Sequence, residues 1–292
     1  MNNYQQLFIN IKLALTNEIY EKYSKQINEI AKIQKKSVQT ILDEIAKIIL
    51  EYNVADAVMD ISIQEKLKLK KQMNNLINDI LKGEYESEKD ATTSILNNVA
   101  EDTYYSSCYI YGLGTSYTLV PVKQDILDDI INKKIDGKTY SSRIWKNKNQ
   151  VAKMLKKEIN DFLNGKTDVN SISKNIKNRF NIDNNVSNRL LRTEIAKVQC
   201  AANEVWAKEH NIKKQLFCAT LDKRTSKICQ SLDGKIYDFD DEDKKIPPLH
   251  PNCRSCLIEI VDGWKPTQRL DNETKKRINY KSYEEWKNKK NI

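Results

Sequence analysis

Residues 222–260 read DKRTSKICQSLDGKIYDFDDEDKKIPPLHPNCRSCLIEI, and the reading of the whole chain turns on this stretch. It holds three of the six cysteines (Cys229, Cys253, Cys256), one of the two histidines (His250) and three of the five prolines (Pro247, Pro248, Pro251). Three thiolates and one imidazole make a Cys3His set suited to a tetrahedral soft or borderline ion, zinc rather than calcium or magnesium. The half running His250-x2-Cys253-x2-Cys256 is compact and braced by prolines. Cys229 would join it from the loop that ends in Leu232-Asp233-Gly234. The first of the two ligand pairs of a strong zinc signature is missing, because Ser226 stands three positions before Cys229 where a cysteine would complete Cys-x2-Cys. Two other readings therefore stay open beside structural zinc. One is packed or oxidised thiols, such as a Cys229–Cys253 disulfide; the other is a catalytic Cys–His pair.

Outward from this segment, Leu216-Phe217 and Leu257 to Val261 have the look of short flanking strands. Upstream of Asn211 the apolar residues keep helical spacing. Ile19/Tyr20, Tyr23, Ile27 and Ile30 form one such stripe, and Val38, Ile41/Leu42, Ile45 and Ile48/Ile49 another. Leu67, Met73, Leu76/Ile77 and Ile80/Leu81 follow, with Gly83 as a stop. The aromatic tract at 103–122 predicts a helix end, a Gly-rich loop through Gly112 and Gly114, and extended chain, with Cys108 as a small buried hydrophobe. Further helices run through Ile126 to Ile131, through Val151 to Leu163 with Gly165 as terminator, and through Ile172 to Phe180 with Thr167 or Asp168 as cap. A longer helix is expected over roughly Val186 to His210, burying Cys200. Cys218 reads as a buried spectator, and His210 as a surface residue at a helix end. Seven glycines, five prolines and few segments of strict apolar/polar alternation argue against a β-sandwich or barrel, and 39% hydrophobic with 30% charged residues calls for amphipathic helices. The expected class is mainly α: a helical N-terminal region, a small α+β Cys/His-containing C-terminal module beginning near residue 215, and a basic helical tail.

The formal net charge is +9, and from Lys265 onward nine basic residues face four acidic ones. Such a tail can hold DNA through phosphates without base preference, the candidates being Lys275, Lys276, Arg277, Lys281, Lys287, Lys289 and Lys290. The plainer reading is a solvated helix face. The N-terminus lacks the pattern of a signal peptide, and no apolar run is long enough to span a bilayer. Synthesis in a reducing cytoplasm and no membrane partner are the expectation.

Polar residues beside the cluster complete the pattern. Arg192-Thr193-Glu194 interrupts an apolar helical stripe, and Asp222, Arg224 and Thr225 follow a strand. Charges in such places need partners. A Glu194–Arg224 or Arg192–Asp222 pair would dock the helix onto the cluster. The rival chemistry is a zinc- or cysteine-dependent hydrolase or transferase centred on Cys229, His250 and Glu194. It lacks a His-Glu-x-x-His run or a second histidine near the cluster.

The order Arg192-Thr193-Glu194, Trp206, Asp222-x-Arg224-Thr225, Cys229, Leu232-Asp233-Gly234 and Pro247-Pro248-x-His250-Pro251-Asn252-Cys253-Arg254 resembles the phage Mu F-like minor head protein family, also called head morphogenesis proteins. The segments around Arg143, Ile144 and Trp145 and around Phe162 to Ile176 extend the likeness, so that it covers roughly residues 140–262. Many members carry a cysteine where Ser226 stands, and Cys-Arg-Cys where this chain has Cys253-Arg254-Ser255-Cys256. The resemblance implies a non-enzymatic, low-copy virion component at the capsid interior near the portal vertex. Its implied partners are the portal protein, scaffold or major capsid protein, and DNA. The resemblance leaves the first 135 residues and the tail unplaced. The expected division is 1–135, a helical region offering surface to portal or capsid; 136–262, the family domain with the Cys/His module at 216–262; and 263–292, the basic tail.

Overall fold

The computed structural model describes residues 2–220, 224–264, 269–270 and 277–278. Its helices are α1 (Asn3–Ser24), α2 (Ile27–Glu51), α3 (Ile63–Gly114), α4 (Gln124–Asn132), α5 (Tyr140–Leu163), α6 (Val169–Glu209) and α7 (Lys227–Leu232). The strands are β1 (Val54–Ala55), β2 (Val58–Met59), β3 (Lys214–Cys218), β4 (Ile236–Asp238), β5 (Cys256–Ile260), β6 (Arg269–Leu270) and β7 (Arg277–Ile278). This is the mainly helical chain with a small strand-bearing Cys/His region that the sequence predicts. Among the described residues no helix is long and apolar enough to cross a membrane.

Two compact units form, and neither is contiguous in sequence. One gathers 1–24, 95–133 and 192–292; the other gathers 25–94 and 134–191. The linear division at 135 and 262 therefore does not coincide with the compact units. α3 and α6 each give their first part to one unit and their second part to the other.

The helical unit at 25–94 and 134–191 is built on residues three and four apart. Ile41, Ile45 and Ile48 of α2, Leu69, Met73, Ile77 and Leu81 of α3, Val151, Leu155 and Ile159 of α5, and Ile172, Ile176 and Phe180 of α6 share one core. At its polar centre the buried Lys148 meets Glu84, Glu88 and Asp183. Gly83 does not stop α3. A lone helical glycine costs only about 1 kcal/mol relative to alanine, and the buried neighbours Leu81 and Glu84 hold the helix on course. The two helices expected at 172–180 and 186–210 are likewise one, α6. Asp168 caps it, its Oδ1 accepting from the N–H groups of Asn170 (2.8 Å) and Ser171 (2.9 Å).

In the other unit the aromatic tract does close a helix, but α3 runs through Gly112 and ends at Gly114, so the Gly-rich loop expected there is the last turn of the helix and the non-helical chain begins after it. The antiparallel sheet runs in the order β4-β3-β5, with Leu216 opposite Ile258, Phe217 opposite Leu257 and Cys218 opposite Cys256. Side chains alternate across a strand, so the sheet serves two cores. Leu216, Cys218, Cys256 and Ile258 pack with Phe8, Tyr104, Trp206 and Trp264. Phe217, Tyr237 and Leu257 pack with Cys229 and Cys253. α1 is locked in place by Lys12, fully buried, which bonds Asn203 Oδ1 (2.9 Å) and Ser107 and lies 3.7 Å from Glu259.

β6 and β7 pair antiparallel, so the tail backbone at Arg269–Leu270 and Arg277–Ile278 is extended, not helical as expected; the β-branched Ile278 suits a strand.

Candidate metal centre

The turn at His250-Pro251-Asn252-Cys253 creates the site. The Cys253 N–H donates to the His250 carbonyl (3.2 Å), Pro251 takes the second position, and Asn252 takes the third with φ +57°. This is the chemistry of a type II turn: proline presets φ at the second residue, and asparagine tolerates the left-handed third. The turn brings the side chains of His250 and Cys253 together. Cys229 meets them from α7.

Cys229 Sγ lies 3.3 Å from His250 Nε2 and 3.7 Å from Cys253 Sγ, and all three ligand atoms lie within 4.8 Å of one another. Around one tetrahedral zinc ion, two thiolates stand about 3.8 Å apart, and a thiolate and an imidazole nitrogen about 3.6 Å apart. The donor set fits a metal. The imidazole is also oriented for it: Nδ1 faces the Pro251 carbonyl at 2.9 Å, which places the ring proton there and leaves the Nε2 lone pair toward the thiols.

The electrostatics favour Cys229 as the thiolate. Burial raises its thiol, but the hydroxyls of Ser226 and Ser255 and the close contacts with His250 and Cys253 outweigh burial and hold it below the ordinary value. Burial pushes the Cys253 thiol up, and the neighbouring Cys229 adds to that shift.

Cys256, expected as the fourth ligand, is not in the group. It begins β5 one residue before Leu257, and strand alternation sends it to the opposite face, opposite Cys218 and beside Ile258. Burial there pushes its thiol well up, and burial pushes that of Cys218 up to about 12. Cys108, Cys200 and Cys218 are buried, as the sequence predicts.

The motif residues act as joints around this centre. Ser226 caps α7 and accepts from the Cys229 N–H at 3.2 Å. Thr225 donates to the Thr220 carbonyl, closing the loop, and Thr220 Oγ1 donates to the Arg254 carbonyl at 3.1 Å. Gly234, with φ +77°, turns the chain so that its N–H reaches the Phe217 carbonyl (2.9 Å), while Asp233 Oδ1 accepts from the Ala219 N–H (2.8 Å). Thr193 supplies the dock between α6 and the turn, its Oγ1 accepting from the Asn252 N–H at 3.0 Å.

The neighbouring charges are partly accounted for. Glu194 is buried and pairs with Lys197, whose ammonium also donates to the carbonyls of Ile131 (3.2 Å) and Lys133 (3.1 Å). Arg192 is exposed, and with Arg254 it lies close enough to Tyr20 to temper the rise that burial gives its phenol. Arg224 lines the recess over Cys229 and His250 with Thr225, Asn252 and Arg254. Glu194 is not among the residues lining that recess. His210 stacks on Trp206, the rings 4.2 Å apart.

Asp222 lies outside the described residues, and with it the expected Arg192–Asp222 pair. So do Lys275, Lys276, Lys281, Lys287, Lys289 and Lys290; for Arg277 the backbone alone is described, in β7.

Sequence reasoning missed the contributions of Ser226, Ser255 and Thr220. A signal for Ser226 was present, since serine three residues before a helical N–H is an N-cap pattern.

Residues 152–258 match the family described as phage Mu protein F like protein. The chain is 26% identical over 300 residues to the minor head protein GP7 of Bacillus phage SPP1, an alignment covering 95% of this chain and 87% of that protein. It is 31% identical over 206 residues to the NAD(+)–arginine ADP-ribosyltransferase EFV of Enterococcus faecalis, covering 64% of this chain and 42% of the enzyme. The chain thus matches about two fifths of the length of that enterococcal relative. No solved structure matches the chain. A family match that ends in the Cys/His segment and a near end-to-end alignment with a phage minor head protein converge: this chain is similar to the phage Mu F-like minor head, or head morphogenesis, proteins.

Proposed function

We propose that this protein is a non-enzymatic minor head protein of a tailed phage or prophage that joins the procapsid with the portal, beside scaffold or major capsid protein, and meets the packaged DNA. The observation that carries the reading is the alignment with a minor head protein over 95% of the chain. The chemistry of the site is in keeping with it. Thr193, Ser226, Thr220, Asp233 and Gly234 each hold backbone in place around the cluster. More than half of the enterococcal transferase has no counterpart in this chain.

Zinc is the ion proposed, held by Cys229, His250 and Cys253. It would supply a cross-link between α7 and the His250–Cys253 turn where the hydrophobic core is small. The basic tail would add salt-sensitive contact with DNA phosphates.

Purified heads test the reading. The chain is expected in them by mass spectrometry as a minor species that co-purifies with the portal. Its presence in the lysate and absence from heads would refute the reading.

A further inference from the structure

The segment 140–191 carries eleven Lys and Arg against four Asp and Glu. The structure shows where those acids go. Asp183 is buried against Lys148, Glu158 is held by Arg179 at 2.6 Å, and Asp168 caps α6. Only Asp161 remains to offset the outward lysines of α5 and α6. Those lysines are exposed: Lys146, Lys153 and Lys157 on α5, and Lys174 and Lys177 on α6. None has an ion-pair partner among the described residues.

The two helices adjoin along a seam inside one compact unit. Arg179 reaches Glu158 and Met154 Sδ across it, and Asn175 donates to Glu158 at 3.0 Å. On α5 the outward face between Lys146 and Lys157 extends about 16 Å along the helix. Neutral hydrogen-bonding groups lie between the charges, namely Asn149 and Gln150 on α5 and Asn178 and Asn181 on α6, all exposed.

From this placement we infer that the outer face of α5 and α6 is a binding surface for the phosphate backbone of duplex DNA, separate from the tail. Spread lysines with interleaved amide donors match a regular polyanion, and such contacts carry no base information. An acidic protein partner would be expected to find large apolar anchors at the centre of the face. On α5 the exposed large apolar side chains sit beside the lysines and already have neighbours: Trp145, 47% exposed, meets Tyr85 edge-to-face, 5.0 Å between centroids, and Met154, 42% exposed, lies against Arg179. The inference rests on the reading that this protein meets packaged DNA.

The test uses the full chain and duplexes of unrelated sequence, titrated across salt. One variant carries Lys153→Gln, Lys157→Gln, Lys174→Gln and Lys177→Gln; a second carries Lys275→Gln, Lys276→Gln, Lys287→Gln, Lys289→Gln and Lys290→Gln in the tail. Each phosphate contact contributes about −0.9 to the slope of log K against log salt, so the helix variant should flatten the slope by about 3–4 at unchanged thermal stability. An unchanged slope in the helix variant, with the loss confined to the tail variant, would overturn the inference and leave DNA contact intact. No retention of duplex by the wild-type chain at about 50 mM salt would overturn it too. If in that case the helix variant also fails to join heads, the face meets an acidic protein. Presence of the wild-type chain in heads is scored separately, so failure of the minor head reading is distinguishable.

Discussion

Replacing Lys148 with methionine should be among the most damaging single changes in the helical unit. Its ammonium lies 2.6 Å from Asp183, 2.9 Å from Glu88 and 3.0 Å from Glu84, and all four side chains are nearly or fully buried. Gln34 donates to the same Asp183 oxygen at 2.8 Å. Among the described residues the lysine is the one cation paired with these three carboxylates. Methionine keeps the aliphatic stem but strands the charges. Breaking a buried pair by removing one partner costs about 3–5 kcal/mol, and three stranded carboxylates put this case at the upper end, about 5 kcal/mol. Glu84 Oε1 and Asp183 Oδ1 already lack a hydrogen-bond partner among the described residues, so there is little local capacity to absorb the loss.

The pH dependence has a definite sign. Burial raises the Glu84 carboxyl above its ordinary value, and Lys148 partly restrains that rise. A raised acid binds its proton more tightly when folded, so stability falls as pH climbs through the interval between the unfolded and folded values. Without Lys148 the rise is larger. The deficit of Lys148→Met is therefore greatest near neutrality and shrinks as pH falls toward about 5 and below. For Lys148 itself, burial pulls the pKa down, but Glu88, Asp183 and Glu84 outweigh it and hold the ammonium above its ordinary value. Its contribution is complete below about pH 10 and is lost only above that. Urea unfolding followed by circular dichroism at pH 7 and pH 5, with the exposed Lys153→Met as control, measures both effects. A loss under about 1 kcal/mol at pH 7, or a deficit that grows in acid, refutes the reasoning.

Two further outcomes follow from the other unit. Purified under reducing conditions with zinc supplied, the chain should hold about one equivalent. Cys229→Ser and Cys253→Ser should each bring it below about half, while Cys256→Ala keeps it; equal losses in all three would restore Cys256 as a ligand. At Gly114 an added Cβ would lie 2.7 Å from Trp264 Nε1, which donates to the Ile110 carbonyl at 3.0 Å. Gly114→Ala should therefore cost about 1–3 kcal/mol, whereas Gly83→Ala, with open space around it, should gain about 0.5–1 kcal/mol; thermal melts that reverse this order would show the Trp264 packing to be wrong.

Local chemistry was legible in the chain, and long-range pairing was not. The His250-Pro251-Asn252-Cys253 turn, the strand at Leu257 and the Asp168 cap follow from residue types at fixed offsets. Cys256 was misjudged because Cys-x2-Cys spacing suggests a shared turn. Cys253 ends a turn while Cys256 opens a strand, and strand parity then decides which face each cysteine serves. The missed continuity of α3 and α6 has a different cause. Gly83 and the Asn-rich stretch near Asn181 are poor helix formers taken alone, but burial of Glu84 and Asp183 beside them overrides propensity. Lys12 bears no sign in sequence of a partner 247 positions away, since only the fold brings Glu259 to it. The basic face of α5 and α6 was hidden for a related reason: the surplus of basic residues is legible, but packing decides which lysines face outward and which of the few acids are buried, paired or spent as caps.

The family match begins at residue 152, yet the sheet it contains does not enclose a core by itself. One face closes on five buried residues, Phe217, Cys229, Tyr237, Cys253 and Leu257, two of them thiols of the candidate centre. A core that small supplies little hydrophobic stabilisation, which is the circumstance in which a metal cross-link contributes most. The other face is covered by Phe8 and Ile9 from α1, by Tyr104, Tyr105, Cys108 and Tyr109 from α3, and by Trp264. All of these lie outside residues 152–258, and within that range α6 adds only Trp206 and Ala207 to the buried residues of the same cluster. Lys12 carries the same dependence into electrostatics, because Glu259, inside a strand of the module, finds its counter-ion on α1. The segment that carries the family motif is therefore not self-sufficient as a folding unit. In this chain that cover comes from the N-terminal helix and the aromatic end of α3.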